Sequence, residues 1–271
     1  MRGLTRVKIA LLDNGSLEPA AHRLLRTAAA AVSGLSGLPV EAVSWRHSDR
    51  IGARELDGAP ARTLAPWVRA AHARGEREFV FAPFLVSAEG AISAALQADL
   101  EALRRELGFG FAFSAGFAPA PEVLGEIVAA RVREAAAAAG WARPAVIVVD
   151  HGGPARASAA LRDAVAAEAA RRLGAAAGPV AAASMESPEG PGYEFNRPLL
   201  AEQLQAPGFA GPLVIAPLFL APGRHAGPEG DLARIAGSRP VRFAGLVGTH
   251  PLAAAAQARS LRALLANPMV L

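Results

Sequence analysis

The chain has no cysteine, which excludes disulfides, cysteine-ligated zinc and any iron–sulfur cluster held by the protein's own thiolates. Lysine is nearly missing as well: Lys8 is the only one among 28 basic residues. A GC-rich genome produces that bias by itself, but some of the arginines could grip carboxylates or phosphates through two parallel hydrogen bonds. A formal net charge of +4 and the lack of any basic run interleaved with aromatics argue against nucleic acid as a partner. No stretch reaches the roughly 20 apolar residues of a membrane span. Met1–Val7 lacks a signal peptide's apolar core, so a cytoplasmic location is expected. The sequence has no H-E-x-x-H, no G-x-S-x-G, no P-loop and no G-x-G-x-x-G, which leaves protease, esterase and nucleotide chemistry without support.

What is present is a repeated alternation. Short aliphatic runs near Val7–Leu12, Val40–Ser44, Phe79–Ala82 and Gly110–Phe113 recur near Ala145–Val149, Val180–Ala183, Leu213–Ala216 and Phe243–Leu246. Between them lie Ala/Leu/Arg/Glu-rich segments, all strong helix formers. The order β-α-β-α predicts an α/β fold with parallel sheets covered by helices on both faces. The halves also match at their turns. Asp13-Asn14-Gly15-Ser16 corresponds to Asp150-His151-Gly152-Gly153, Ser44-Trp45-Arg46 to Ser184-Met185-Glu186, and Ala82-Pro83 to Ala216-Pro217, at offsets of 137, 140 and 134. A nearly constant offset points to internal duplication. Two similar doubly wound lobes are expected, residues 1–138 and 139–271. The loops Asp49–Thr63 and Ser187–Arg197 are long for this fold and therefore functional or disordered.

Chemistry-bearing residues collect in the second half. His151, Glu186 and His225 each follow one of its first three strands, and in open α/β sheets ligands bind beyond the carboxyl ends of strands. Neutral imidazoles suit divalent transition metals, and a carboxylate adds a ligand or a proton acceptor. A lone histidine at a strand end is more often a capping residue, but the first half has Asn14 and Gly90 where the second has His151 and His225. That contrast implies one site per chain. His250, after the last strand, falls at the same rim, and Glu194 rivals Glu186 for the carboxylate role. His22, His47 and His72 read as surface residues.

The succession strand–His151-Gly152-Gly153, Ser184-Met185-Glu186, then Phe219-Leu220-Ala221-Pro222-Gly223-Arg224-His225 leading to Asp231, and finally Gly248-Thr249-His250-Pro251, resembles the class II chelatases of CbiX type, the sirohydrochlorin cobaltochelatases and ferrochelatases. The resemblance is strong in the second half and weak in the first. Gly153 departs from the family's serine, and Ser187–Glu194 reads as an insertion. The resemblance implies two α/β lobes around a cleft and ATP-independent insertion of Co²⁺ or Fe²⁺ into a carboxylate-rich tetrapyrrole such as sirohydrochlorin, in cobalamin or siroheme biosynthesis. It implies that His151 and His225 hold the metal and accept pyrrole protons, and that Glu186 assists. No permanent cofactor is expected, because the metal is a substrate. Arg156, Arg197 and Arg224 are the nearest candidates to pair with substrate carboxylates. With both lobes in one chain, a monomer would be complete. The alternative is a metal or tetrapyrrole carrier that does not turn over.

Overall fold

The computed structural model describes residues 7–87, 91–117, 121–227 and 229–266. The strands of the first half are β1 (Lys8–Asp13), β2 (Val40–Ser44), β3 (Glu78–Pro83) and β4 (Gly110–Phe113). Those of the second are β5 (Ala145–Asp150), β6 (Val180–Ser184), β7 (Leu213–Pro217) and β8 (Val241–Phe243). Each set forms an all-parallel sheet, in the orders β2-β1-β3-β4 and β6-β5-β7-β8. Both orders reverse direction between the first and third strands of the set, which makes that point the binding crevice of a doubly wound sheet. The α/β class and the two equivalent sheets are as the sequence implied.

The helices are α1 (Pro19–Ser36), α2 (Leu64–Ala73), α3 (Ala91–Leu107), α4 (Pro121–Ala139), α5 (Arg156–Leu173), α6 (Leu200–Gln203), α7 (Asp231–Ala236) and α8 (Pro251–Leu265). The compact units do not follow a division at residues 138 and 139. One unit holds β1–β4, α1–α3 and the chain from Ala254 onward; the other holds α4, β5–β8, α5–α7 and the chain up to Ala253. The reason is where apolar faces go. Helix α4 buries Leu124, Ile127, Val128 and Val132 and packs on α5, β7 and β8. In the first unit Gln257 Nε2 donates to the Pro83 carbonyl (2.9 Å) and Ser260 Oγ accepts from the Gly116 amide (3.1 Å).

The last strand also differs from expectation. It runs over Val241–Phe243 instead of Phe243–Leu246, because Val241 and Phe243 register with Leu213 and Ile215 of β7. After that the chain turns into a short 3-10 segment, Val247–Thr249. The two long loops are built alike: each returns to pair beside the second strand of its sheet, through Ser44↔Thr63 and Ser184↔Leu199.

The central strands β1, β3, β5 and β7 are buried along nearly their whole length, as continuous aliphatic or aromatic runs in a parallel sheet require. On one face of the first sheet Phe79, Phe81 and Phe109 pack with Trp67, with Phe79 and Phe109 ring centroids 5.0 Å apart. The matching cluster in the second unit is mainly aliphatic, with Ile147, Val149, Leu213 and Ile215 packed beside a single buried phenylalanine, Phe209.

Candidate metal and proton-transfer site

Strand β5 delivers His151 through a turn that only glycine fits. Gly152 has φ +82°, and a Cβ there would lie 1.8 Å from the Glu186 carbonyl oxygen. That close approach lets the Glu186 amide donate to the His151 carbonyl (3.1 Å) and the Met185 amide to the Asp150 carbonyl (2.8 Å). The ends of β5 and β6 are thereby locked side by side. His225 follows β7, the other neighbour of β5.

The two imidazoles meet. Their ring centroids are 4.6 Å apart at an interplanar angle of 85°, well inside the roughly 8 Å that shared ligation with metal–nitrogen bonds of about 2 Å allows. The His225 Nδ1–H donates to Asp231 Oδ2 (2.6 Å), and the His151 Nδ1–H donates to the Gly152 carbonyl (2.9 Å). A carboxylate or carbonyl partner can only accept, so in each neutral ring the proton sits on Nδ1 and the Nε2 lone pair is left free. Such an outer partner fixes the tautomer and the ring orientation of a ligating histidine. Glu186 Oε1 lies 3.6 Å from His151 Nε2, and both side chains are substantially exposed. Among the described residues no group of three or more His, Asp or Glu side chains is set to hold a metal; the arrangement is a histidine pair with a carboxylate beside it.

The surrounding charges are ordered. The His225 hydrogen bond, together with Arg234 and Arg224, holds the Asp231 carboxyl below its usual range. Burial pushes Asp150 upward, opposed by the Ser184 hydroxyl and by Arg162. Arg224 lies 3.4 Å from Asp231 and is exposed. Arg156 stacks its guanidinium 4.7 Å over the Phe195 ring. Arg197 is committed to Glu202. Glu194 accepts the Gly192 amide (3.1 Å), and its carboxyl is held low by backbone hydrogen bonds and by Arg156. His250 Nδ1 accepts the Leu252 amide (3.2 Å), capping α8, and burial, with Arg131, lowers its pKa.

His22 is not a surface residue. It is 1% exposed, with Nδ1 3.4 Å from Ser44 Oγ, because it lies on the face of α1 that carries Ala21, Leu25 and Ala29 to the sheet. His47 is exposed, as expected, and His72 is half-buried. Gly90 lies outside the described residues. The supports that sequence reasoning did not single out are Arg162, Ser184 and Asn196. Arg162 interrupts the buried stripe Ala159, Val165, Ala166 and Ala169 of α5, and a charge inside an apolar stripe was the available signal.

No family model and no curated protein matches the sequence. Solved structures do. SirB from Bacillus subtilis with Fe³⁺ superposes with a TM-score of 0.61 at 16% identity, over 95% of this chain and 94% of that one. The sirohydrochlorin chelatase SirB from Bacillus subtilis subspecies spizizenii in complex with cobalt gives 0.63 at 15%, over 97% of both. CbiX, described as the terminal enzyme for biosynthesis of siroheme in denitrifying bacteria, gives 0.55 at 20%, over 94% and 98%. Near-complete coverage of both partners bears out, for the fold, the resemblance read from the sequence: this chain has the α/β fold of the SirB and CbiX chelatases.

Proposed function

We propose that the protein inserts a divalent metal, Co²⁺ or Fe²⁺, into a carboxylate-rich tetrapyrrole such as sirohydrochlorin, without ATP, in cobalamin or siroheme biosynthesis. The observation that carries this reading is the histidine pair, with both Nδ1 atoms engaged as donors and both Nε2 atoms free, at the crevice of the second sheet. Two imidazoles leave most of a metal's coordination positions open, which suits an ion that is delivered and then leaves. Metal entry expels two pyrrole N–H protons. As the metal passes to the macrocycle, each histidine's Nε2 lone pair is freed and can accept one. Glu186, beside His151, relays that proton to solvent. Arg156 and Arg224 are exposed and can meet the substrate's peripheral carboxylates in bidentate fashion; Arg197 is the weaker candidate because Glu202 occupies it. Among the described residues no helix is long and apolar enough to cross a membrane.

Pure protein incubated with sirohydrochlorin and Co²⁺ or Fe²⁺, followed by absorbance, tests the reading. Multiple turnovers that depend on His151 and His225 are expected. Insertion no faster than the spontaneous rate overturns it. Histidine-dependent metal binding without turnover would identify a carrier instead.

A further inference from the structure

Among the described residues, the second lobe buries one arginine. Arg162, on the inward face of α5, is 1% exposed. A buried guanidinium costs several kcal/mol unless its donors are met, and an apolar side chain of similar volume often stabilises as well or better. Apart from its neighbour Asp163, its acceptors come from segments that lead to the site. Nη1 donates to Ser184 Oγ, which in turn donates to Asp150 Oδ1 (2.7 Å). Asp150 Oδ1 itself lies 3.7 Å from Nη1. Nη2 donates to the Phe195 carbonyl (3.1 Å), Nη1 also to that of Asn196 (3.5 Å), and Nε to Asp163 Oδ1 (2.8 Å). Asp150 immediately precedes His151, and Ser184 stands two residues before Glu186. Asn196 grips the turn after His151 from both sides, accepting the Gly153 amide (3.2 Å) and donating to its carbonyl (2.9 Å).

We propose that Arg162 is a positioning residue for the site. Its planar fork ties the end of β5, the end of β6 and the turn at Glu194–Asn196 into one rigid support, so that His151 and Glu186 keep their 3.6 Å spacing. The matching place in the first lobe, 137 residues earlier on a helix of the same length, is occupied by Leu25; the side chain that reaches the matching serine there is His22, one turn earlier, with Nδ1 3.4 Å from Ser44 Oγ. Where there is no histidine at the strand end to hold, there is no guanidinium beneath it. The catalytic consequence rests on the chelatase reading; the geometric one does not.

The test uses the full chain and Co²⁺ alone as the probe, well below the melting temperature. Arg162→Lys keeps the charge but supplies a point donor instead of a fork. It is expected to weaken Co²⁺ binding at least tenfold and to change the d–d absorption of the bound ion, whereas Arg171→Lys, on the exposed face of α5, leaves both unchanged. With sirohydrochlorin, Arg162→Lys should lower kcat at least tenfold with KM within twofold. Ser184→Ala removes only the hydroxyl between Arg162 and Asp150 and should weaken Co²⁺ binding about threefold or more; it decides the matter if Arg162→Lys does not fold. A lower melting temperature with unchanged Co²⁺ affinity and spectrum would reduce Arg162 to a stabilising role and overturn the proposal. If the wild type binds Co²⁺ through its histidines but inserts none, the chelatase reading falls and the spectrum still judges Arg162. If it binds none, both fall.

Discussion

The two lobes carry the same backbone turn under different chemistry. In the first, the Trp45 amide donates to the Asp13 carbonyl (2.8 Å) and the Arg46 amide to the Asn14 carbonyl (3.3 Å), the bonds that Met185 and Glu186 make to Asp150 and His151 in the second. Gly15, like Gly152, has positive φ and sits where a Cβ would meet a carbonyl oxygen, that of Arg46 at 1.7 Å. Ser48 contacts both backbone groups of Ser16 just as Asn196 contacts those of Gly153. On this shared frame, Asn14 replaces His151 and Arg46 replaces Glu186. Arg46 is held by Asp99 (2.6 Å), a structural use of the position. Backbone constraints outlast chemistry: the steric need for glycine survives in both lobes, while the residues that could touch a metal stand in one.

The largest expected effect breaks the comparison at the histidines. His151→Ala or His225→Ala should lower the rate of metal insertion into sirohydrochlorin by about a thousandfold or more, each removing a ligand and base together. Asn14→Ala, at the matching position of the first lobe, should leave it within twofold. Equal losses at Asn14 and His151 would place a working site in both lobes.

Next come the shared glycines. Gly15→Ala and Gly152→Ala each force a methyl into a backbone carbonyl at positive φ, so each should cost about 3 kcal/mol or more in urea unfolding. Only Gly152→Ala should also abolish Co²⁺ binding. If Gly15→Ala is tolerated without loss, the first-lobe turn is not under the steric constraint of the second.

A third contrast lies beneath the rims. Burial holds His22 down to about 4 from 6.5, so its contribution to stability is complete above pH 6.5 and lost as pH falls toward 4. Burial pushes Asp13 up to about 6 from 3.8; its contribution is complete below pH 3.8 and lost as pH rises toward 6. Each is worth about 3 kcal/mol at 1.36 kcal/mol per pH unit, with opposite slopes that nearly cancel. Relative to the wild type, Asp13→Asn should therefore lose about 3 kcal/mol on acidification from pH 6.5 to 4. His22→Gln should lose a similar amount as pH rises from 4 to 6. Denaturant midpoints at pH 4, 5 and 6 read both, and parallel pH profiles in all three proteins would contradict the burial of these groups.

Much of this was legible in the sequence, for identifiable reasons. Fully buried parallel strands must be continuous apolar runs, so β5 and β7 announced themselves, and a glycine forced by backbone contact kept the duplication visible at Gly15 and Gly152. The pairing of His151 with His225 followed from strand-end placement. What was illegible depended on the far side of a contact. Nothing local to His22 says that its helix face meets Ser44. The exchange of α4 and the end of α8 between units is a matter of which sheet their apolar faces cover, and alternation along the chain does not encode that. Arg162 was readable as an anomaly, but its acceptors come from segments up to 34 residues away.

The smallest expected effect decides between two carboxylates on the lobe that has the histidines. Glu186 lies 3.6 Å from His151 Nε2 and is exposed, so water can partly replace it as a proton carrier. Glu186→Gln should therefore slow metal insertion only about tenfold, short of the hundredfold or more of an enclosed general base. Glu194 is turned to the Gly192 amide and the field of Arg156, which lowers its basicity and spends an oxygen lone pair on the loop's own backbone. Glu194→Gln should leave insertion within twofold. The first lobe makes the same distinction, since Arg46 stands where Glu186 would, and Arg46→Glu should add no activity there because Asn14 stands where His151 would. A loss at Glu194 exceeding that at Glu186 would move the proton path off the strand end and onto the loop after β6.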